Sequence, residues 1–101
     1  MTKAIINGKM YNTETAECKA SNIIYGPYGS YELQEELFCK KNGEYFIVRD
    51  FSGWNDEDNY EIYHWVLDHR VEPLSENKAR IWCENNADVD TYIELFDEPE
   101  E

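Results

Sequence analysis

The side chains of this sequence that could do covalent or proton-transfer chemistry are Cys18, Cys39 and Cys83, His64 and His69, and 22 carboxylates. A nucleophilic site needs a thiol or hydroxyl beside a base, and neither histidine falls into a recognisable signature with a cysteine. A cysteine without such a base behaves as a small hydrophobe. The three thiols are odd in number, far apart in sequence and never in a Cys-x-x-Cys pair. That pattern implies neither a disulfide framework nor a zinc site, and it fits reduced thiols in the cytosol. His64 alternates with Tyr63 and Trp65 and reads as a sheet-face residue bonded to a neighbour, with His69 and Arg70 closing the same segment towards solvent.

The acidic run from Asp56 to Glu61 invites a calcium reading, which needs ligands at alternating positions, a Gly at the sixth and a Glu at the twelfth. Counted from Asp56, the sixth residue is Glu61 and the twelfth is Leu67. The formula fails where its geometry is most demanding. There is no Gly-rich loop to cradle a phosphate. Among so many carboxylates some pairs come close by chance, so proximity alone assigns no acid/base role. The expectation is a protein with no catalytic residues, no metal and no cofactor, acting by binding rather than by turnover.

What it would bind follows from charge. The 22 acidic side chains against 9 basic ones leave a net charge of −13 over 101 residues, beyond what solubility asks of a small domain. Such a surface repels DNA, RNA and anionic membrane and attracts a basic partner. After Arg80 the chain carries Glu84, Asp88, Asp90, Glu94, Asp97, Glu98, Glu100 and Glu101 with no basic residue at all. At 100° per residue Asp90, Glu94, Asp97 and Glu98 gather on one side of a final helix, and Val89, Tyr92, Ile93 and Phe96 on another. Carboxylates ~5–6 Å apart on a helix roughly match the phosphate spacing of a nucleic-acid strand, so this face could enter a basic nucleic-acid groove. A second candidate is Trp54 flanked by Asp56, Glu57 and Asp58, an aromatic anchor ringed by charge. Glu32, Glu35 and Glu36 add to the acidic count. Against both stands the plainer reading in which the acids only keep the protein soluble and Trp54 folds onto the core.

The elements that must position these residues are legible from turn and cap chemistry. Asn42-Gly43 joins two β-prone runs, Leu37–Lys41 and Glu44–Val48, and predicts a two-residue type I′ hairpin that opposes Cys39 to Phe46 and Leu37 to Val48. Apolar residues on both faces place this pair centrally in its sheet. Asn7-Gly8 predicts a second hairpin at the N-terminus, and the alternation of Ala16, Cys18 and Ala20 a further strand. Gly26–Ser30 is a turn, Phe51–Asn59 a longer loop, and the aromatic and branched residues of Tyr60–Leu67 read as another strand. Ser75 is placed as the N-cap of a helix reaching about Asn86, with Leu74 able to staple onto Ala79; Asp88 or Asp90 caps a second helix that Pro99 ends. Strands first and helices last define an α+β domain: an antiparallel sheet of four to five strands covered by two short C-terminal helices, spanning residues 1–97 with an acidic tail at 98–101. No apolar run reaches the ~18 residues of a membrane span, and the first residues lack the apolar stretch of a signal peptide.

Three pieces carry a resemblance: Ile6–Ala16 (INGKMYNTETA), Glu36–Phe46 (ELFCKKNGEYF) and Glu72–Trp82 (EPLSENKARIW), about a third of the chain. They resemble a family of short acidic proteins carried by phages and plasmids of low-GC Gram-positive bacteria, whose relatives look like anti-CRISPR proteins acting on type II-A systems. The resemblance implies a host-cell cytoplasmic inhibitor of a Cas9-type effector, a basic nucleic-acid-binding protein, without direct nucleic-acid or membrane contact. It carries over no catalytic residue, since its motif positions are turn, strand and cap residues. Where the family pattern has a Gly-rich loop after the hairpin, this chain has Phe51–Asn59. The alternative is a non-enzymatic assembly module of a phage or plasmid, binding through an apolar patch or sheet edge.

Overall fold

The structure is a computed structural model that describes residues 2–53, 59–98 and 100. Trp54, Asp56, Glu57 and Asp58, the proposed aromatic-acidic loop, and Pro99, the proposed helix terminator, lie outside the described residues. In chain order the elements are β1 (Lys3–Ile6), β2 (Lys9–Asn12), β3 (Glu17–Tyr25), β4 (Tyr31–Cys39), β5 (Tyr45–Gly53), α1 (Tyr60–Asp68), β6 (Val71–Leu74), α2 (Glu76–Asn86) and α3 (Val89–Phe96). Strands β3-β4-β5-β6 form an antiparallel sheet in that order, and β1-β2 form a separate two-stranded ribbon. The α+β class is as the sequence predicts.

The N-terminal hairpin follows its turn chemistry: Asn7 and Gly8 both take positive φ (51° and 78°), and Ile6 pairs with Lys9 across a two-residue loop. The central hairpin departs from its predicted register. Cys39 pairs with Tyr45 and Leu37 with Ile47, rather than with Phe46 and Val48. The Gly43 N–H donates to the Lys40 carbonyl at 2.9 Å and Gly43 takes φ +91°. Asn42 and Gly43 therefore close a type I turn followed by a left-handed residue, the three-residue hairpin, instead of the two-residue I′ form. One residue of slip moves every side chain to the opposite face.

That register puts Leu33, Glu35, Leu37, Ile47, Arg49 and Phe51 on one face of the sheet and Phe38, Phe46 and Val48 on the other. The first face receives the helices. Leu37 and Ile47, both fully buried, pack with Ala79, Trp82 and Cys83 of α2 and Phe96 of α3. Burial of each such aliphatic side chain contributes about 1.5–3 kcal/mol. The second face is covered by the β1-β2 ribbon, where Tyr11 meets Phe46 edge-on at 5.4 Å and Phe46 stacks on Phe38 at 5.4 Å. Lys40 sits 3.7 Å over the Tyr11 ring and fastens the ribbon to the central hairpin.

Three readings of the sequence are corrected here. Tyr60–Leu67 is a helix, α1, although its composition is β-prone. Helical spacing lets Val66 bury while Tyr63 meets Phe51 at 5.7 Å, and leaves Tyr60, Glu61 and His64 in solvent. A strand would have driven one of those polar faces into the sheet, and packing overrides propensity. Among the described residues there are therefore three α-helices rather than two. The loop predicted from Phe51 begins later, because Phe51–Gly53 still pair with Leu33–Tyr31. The four residues Val71–Leu74 add an edge strand, which tolerates Pro73 because an edge position need not donate.

The two C-terminal helices start as their caps predict. Ser75 Oγ accepts the Lys78 N–H at 3.1 Å and Asp88 Oδ1 accepts the Thr91 N–H at 2.8 Å. Leu74 packs against the same apolar cluster as Ala79. At the other helix, the buried Asn59 donates from Nδ2 to the Ser30 carbonyl at 3.1 Å, tying the start of α1 to the β3-β4 turn.

Candidate functional site

The acidic face rests on α3, whose sequence makes it amphipathic and whose position is fixed from behind. Phe96 is buried beside Tyr45 and Tyr92, at ring separations of 5.6 and 5.3 Å. Arg80 of α2 lies 5.0 Å over the Phe96 ring and clamps the two helices together. With that side anchored, Asp90 and Glu94 are exposed one turn apart. Asp97 is the C-cap, with a non-helical φ of 69°, and Glu98 follows it, both exposed, so these two acids lie beyond the helix rather than on the face that helical period predicts for them.

Among the described residues, none of Glu84, Asp88, Asp90, Glu94, Asp97 or Glu98 forms an ion pair. Four of the lysines, Lys3, Lys9, Lys19 and Lys40, are paired with Glu14, Glu44, Glu17 and Glu44 at 2.9–3.9 Å, around the N-terminal ribbon and the central turn, and Lys19 also feels the charge of Glu94. Residues 46–101 hold 16 of the 22 acidic side chains but only 4 of the 9 basic ones. The charge imbalance thus belongs almost entirely to the second half of the chain.

Asp97 has φ 69° and ψ 167°, a region that side-chain-bearing residues avoid. The helix macrodipole also disfavours a carboxylate there. Asp88, at the opposite end, is stabilised: the Thr91 side chain and backbone N–H it engages hold its carboxyl below the ordinary value.

Beside the acid row, α2 and α3 leave an open pocket of about 270 Å³ lined by Cys83, Ala87, Val89, Tyr92 and Ile93, with the exposed Glu84 and Asp88 also contributing. The predicted apolar stripe of α3 is only partly absorbed by the core. Phe96 is 6% exposed and Tyr92 and Ile93 are half-buried, but Val89 is 73% exposed.

Two of the three glutamates around the central hairpin remain at or near the surface, but Glu35 does not belong to any acidic face. It lies buried in β4, where Oε2 accepts from Arg49 Nε at 2.8 Å and Oε1 from Trp82 Nε1 at 3.4 Å. Arg49 also donates to the His69 carbonyl at 2.9 Å and to Glu72 at 3.1 Å, and packs 4.8 Å from the Trp65 ring. This cluster joins the sheet to α1, β6 and α2. Sequence reading missed it because the partners are 14 to 47 positions apart, and only the β4-β5 register brings them together.

Two of the three thiols, Cys83 and Cys18, are pushed towards the protonated form. Burial pushes Cys83 up, and burial followed by the Glu36 charge pushes Cys18 up. Both histidines lie against α1 aromatics, His64 tilted on Tyr60 at 4.3 Å and His69 stacked on Trp65 at 4.4 Å, and His64 is a helix residue and not the sheet residue expected. Among the described residues no group of three or more His, Cys, Asp or Glu could hold a metal ion, and no helix is long and apolar enough to cross a membrane.

Comparison with known proteins returns no match to a family model, to a curated protein or to a solved structure.

Proposed function

We propose that this protein is a non-enzymatic inhibitor that binds a basic, nucleic-acid-binding protein through the acid row of α3, with a type II-A Cas9-type effector of the host as its target. The observation that carries the reading is the exposed row Asp90, Glu94, Asp97 and Glu98, without an ion-pair partner among the described residues and continued by Glu84 and Asp88. Exposed carboxylates on α3 and just beyond its end present a negative field that a basic channel attracts. A guide-RNA or DNA channel in an RNA-guided nuclease is lined with basic groups for the same physical reason. The resemblance of the Ile6–Ala16, Glu36–Phe46 and Glu72–Trp82 segments selects this class of target among basic proteins.

The test is a pull-down of purified type II-A effector, with and without guide RNA, across a salt series, paired with a cleavage assay. Inhibition that weakens with salt and is lost when Asp90, Glu94 and Asp97 are all changed to Lys supports the reading. Inhibition indifferent to both removes it.

A second reading is favoured by the outer edge of β3, which pairs with no other strand among the described residues. In it the protein is an assembly module that takes a partner's strand along Glu17–Tyr25, and the charge serves solubility. Association would then be insensitive to salt and to the α3 reversals.

A further inference from the structure

We infer that the α2-α3 pocket is an anchor site for one large apolar side chain of a basic partner segment, an aliphatic or aromatic residue flanked by Lys or Arg. This rests on the acid-row reading above and gives it a specific contact. Three observations meet at the pocket. Its floor and walls are apolar, from Cys83, Ala87, Val89, Tyr92 and Ile93. The α3 stripe that supplies three of these residues runs out of the core, and Val89 is left 73% exposed. The charged side chains lining it, Glu84 and Asp88, are both acidic, and exposed Asp90 follows directly on Val89.

Charge complementarity selects the occupant. A purely apolar segment would leave Glu84, Asp88 and Asp90 facing desolvation without compensation, and an acidic one would be repelled. A segment with an apolar residue between basic ones satisfies both parts of the site. The anchor supplies the salt-resistant contact and the flanking charges supply the salt-dependent one, the arrangement of a buried hot spot within a polar rim.

The experiment titrates the full chain by NMR with two peptides of equal charge, acetyl-Lys-Lys-Leu-Lys-Lys-amide and the same peptide with Ser in place of Leu, at low and high salt. The Leu peptide is expected to bind about tenfold tighter, the low end of what burying one such side chain gives. The difference should survive high salt, with shift changes centred on Ala87, Val89, Tyr92 and Ile93. Val89→Ser, at an exposed position that the fold does not use, should reduce the Leu preference severalfold and leave Ser-peptide binding unchanged. Equal binding of the two peptides, with steep salt dependence, overturns the anchor site and leaves the acid-row reading standing. Binding of neither overturns both. A Leu preference whose shifts map elsewhere, or self-association of the chain abolished by Val89→Ser, overturns the inference by placing another site or a second copy there.

Discussion

Arg49 Nε donates to Glu35 Oε2 at 2.8 Å with both side chains less than a tenth exposed, so the middle of the helix-covered sheet face holds an ion pair where an apolar contact would be expected. The pair is satisfied on all sides: Trp82, the His69 carbonyl and Glu72 take the remaining hydrogen bonds, and no buried side-chain polar atom among the described residues lacks a partner. Removing one member leaves the other charged and desolvated. Arg49→Ala is expected to cost about 3–5 kcal/mol, whereas replacing the pair together, Arg49→Met with Glu35→Leu, costs much less. Urea unfolding of the two variants measures both, and equal losses would contradict the coupling.

Asp97 occupies a backbone region that suits glycine, at φ 69° and ψ 167°. Asp97→Gly should stabilise the protein by about 1 kcal/mol, at the low end of the strain such a conformation stores. Asp97→Asn removes the charge but keeps the side chain, and should recover only a few tenths of that, from the helix dipole. With the acid row used for binding, both variants weaken it while raising stability, Asp97→Gly the more, the trade expected of a strained functional residue. Thermal melts read against affinity separate the two effects.

The Asp88 carboxyl caps α3 and is held below its ordinary value by the Thr91 side chain and backbone N–H. The unfolded chain therefore takes up that proton before the folded one does. The cap's contribution is full above the unfolded value of about 4 and is lost as pH falls through the lower folded value. Asp88→Asn keeps a capping oxygen without the titration, so its stability should fall less steeply than the parent's on acidification below about pH 4. Parallel acid titrations followed by circular dichroism give the comparison.

The elements that were legible in the sequence are those whose chemistry is local. Asn7-Gly8 needs two positive φ values, Ser75 and Asp88 need only an N–H three residues on, and each reads as it folds. The central hairpin was legible as a hairpin but not in register. Asn42 Oδ1 accepts the Glu44 N–H at 3.0 Å and Gly43 alone takes the left-handed position, and Asn-Gly serves that turn as well as the I′ form. The strand reading of Tyr60–Leu67 fails because its aromatic composition reflects ring contacts one turn apart along a helix, Tyr60 with His64 and Trp65 with His69, rather than pleating. Of the candidate site, Asp90 and Glu94 were placed correctly by helical period. The α2-α3 pocket was not legible, since it depends on how two helices pack, and Glu35 counts with the acidic residues in the sequence because nothing near it announces Arg49.

The central claim is tested most directly by the affinity of the purified protein for a type II-A Cas9-type effector as a function of salt, for the parent chain and for a variant carrying Asp90→Lys and Glu94→Lys. Both positions are exposed and outside the core, so the variant should unfold at a denaturant concentration close to the parent's. The account predicts that parent binding falls steeply as salt screens the interaction, and that the reversed variant binds at least tenfold more weakly at low salt, with the two curves converging at high salt. Parent and variant binding with equal, salt-independent affinity would contradict it.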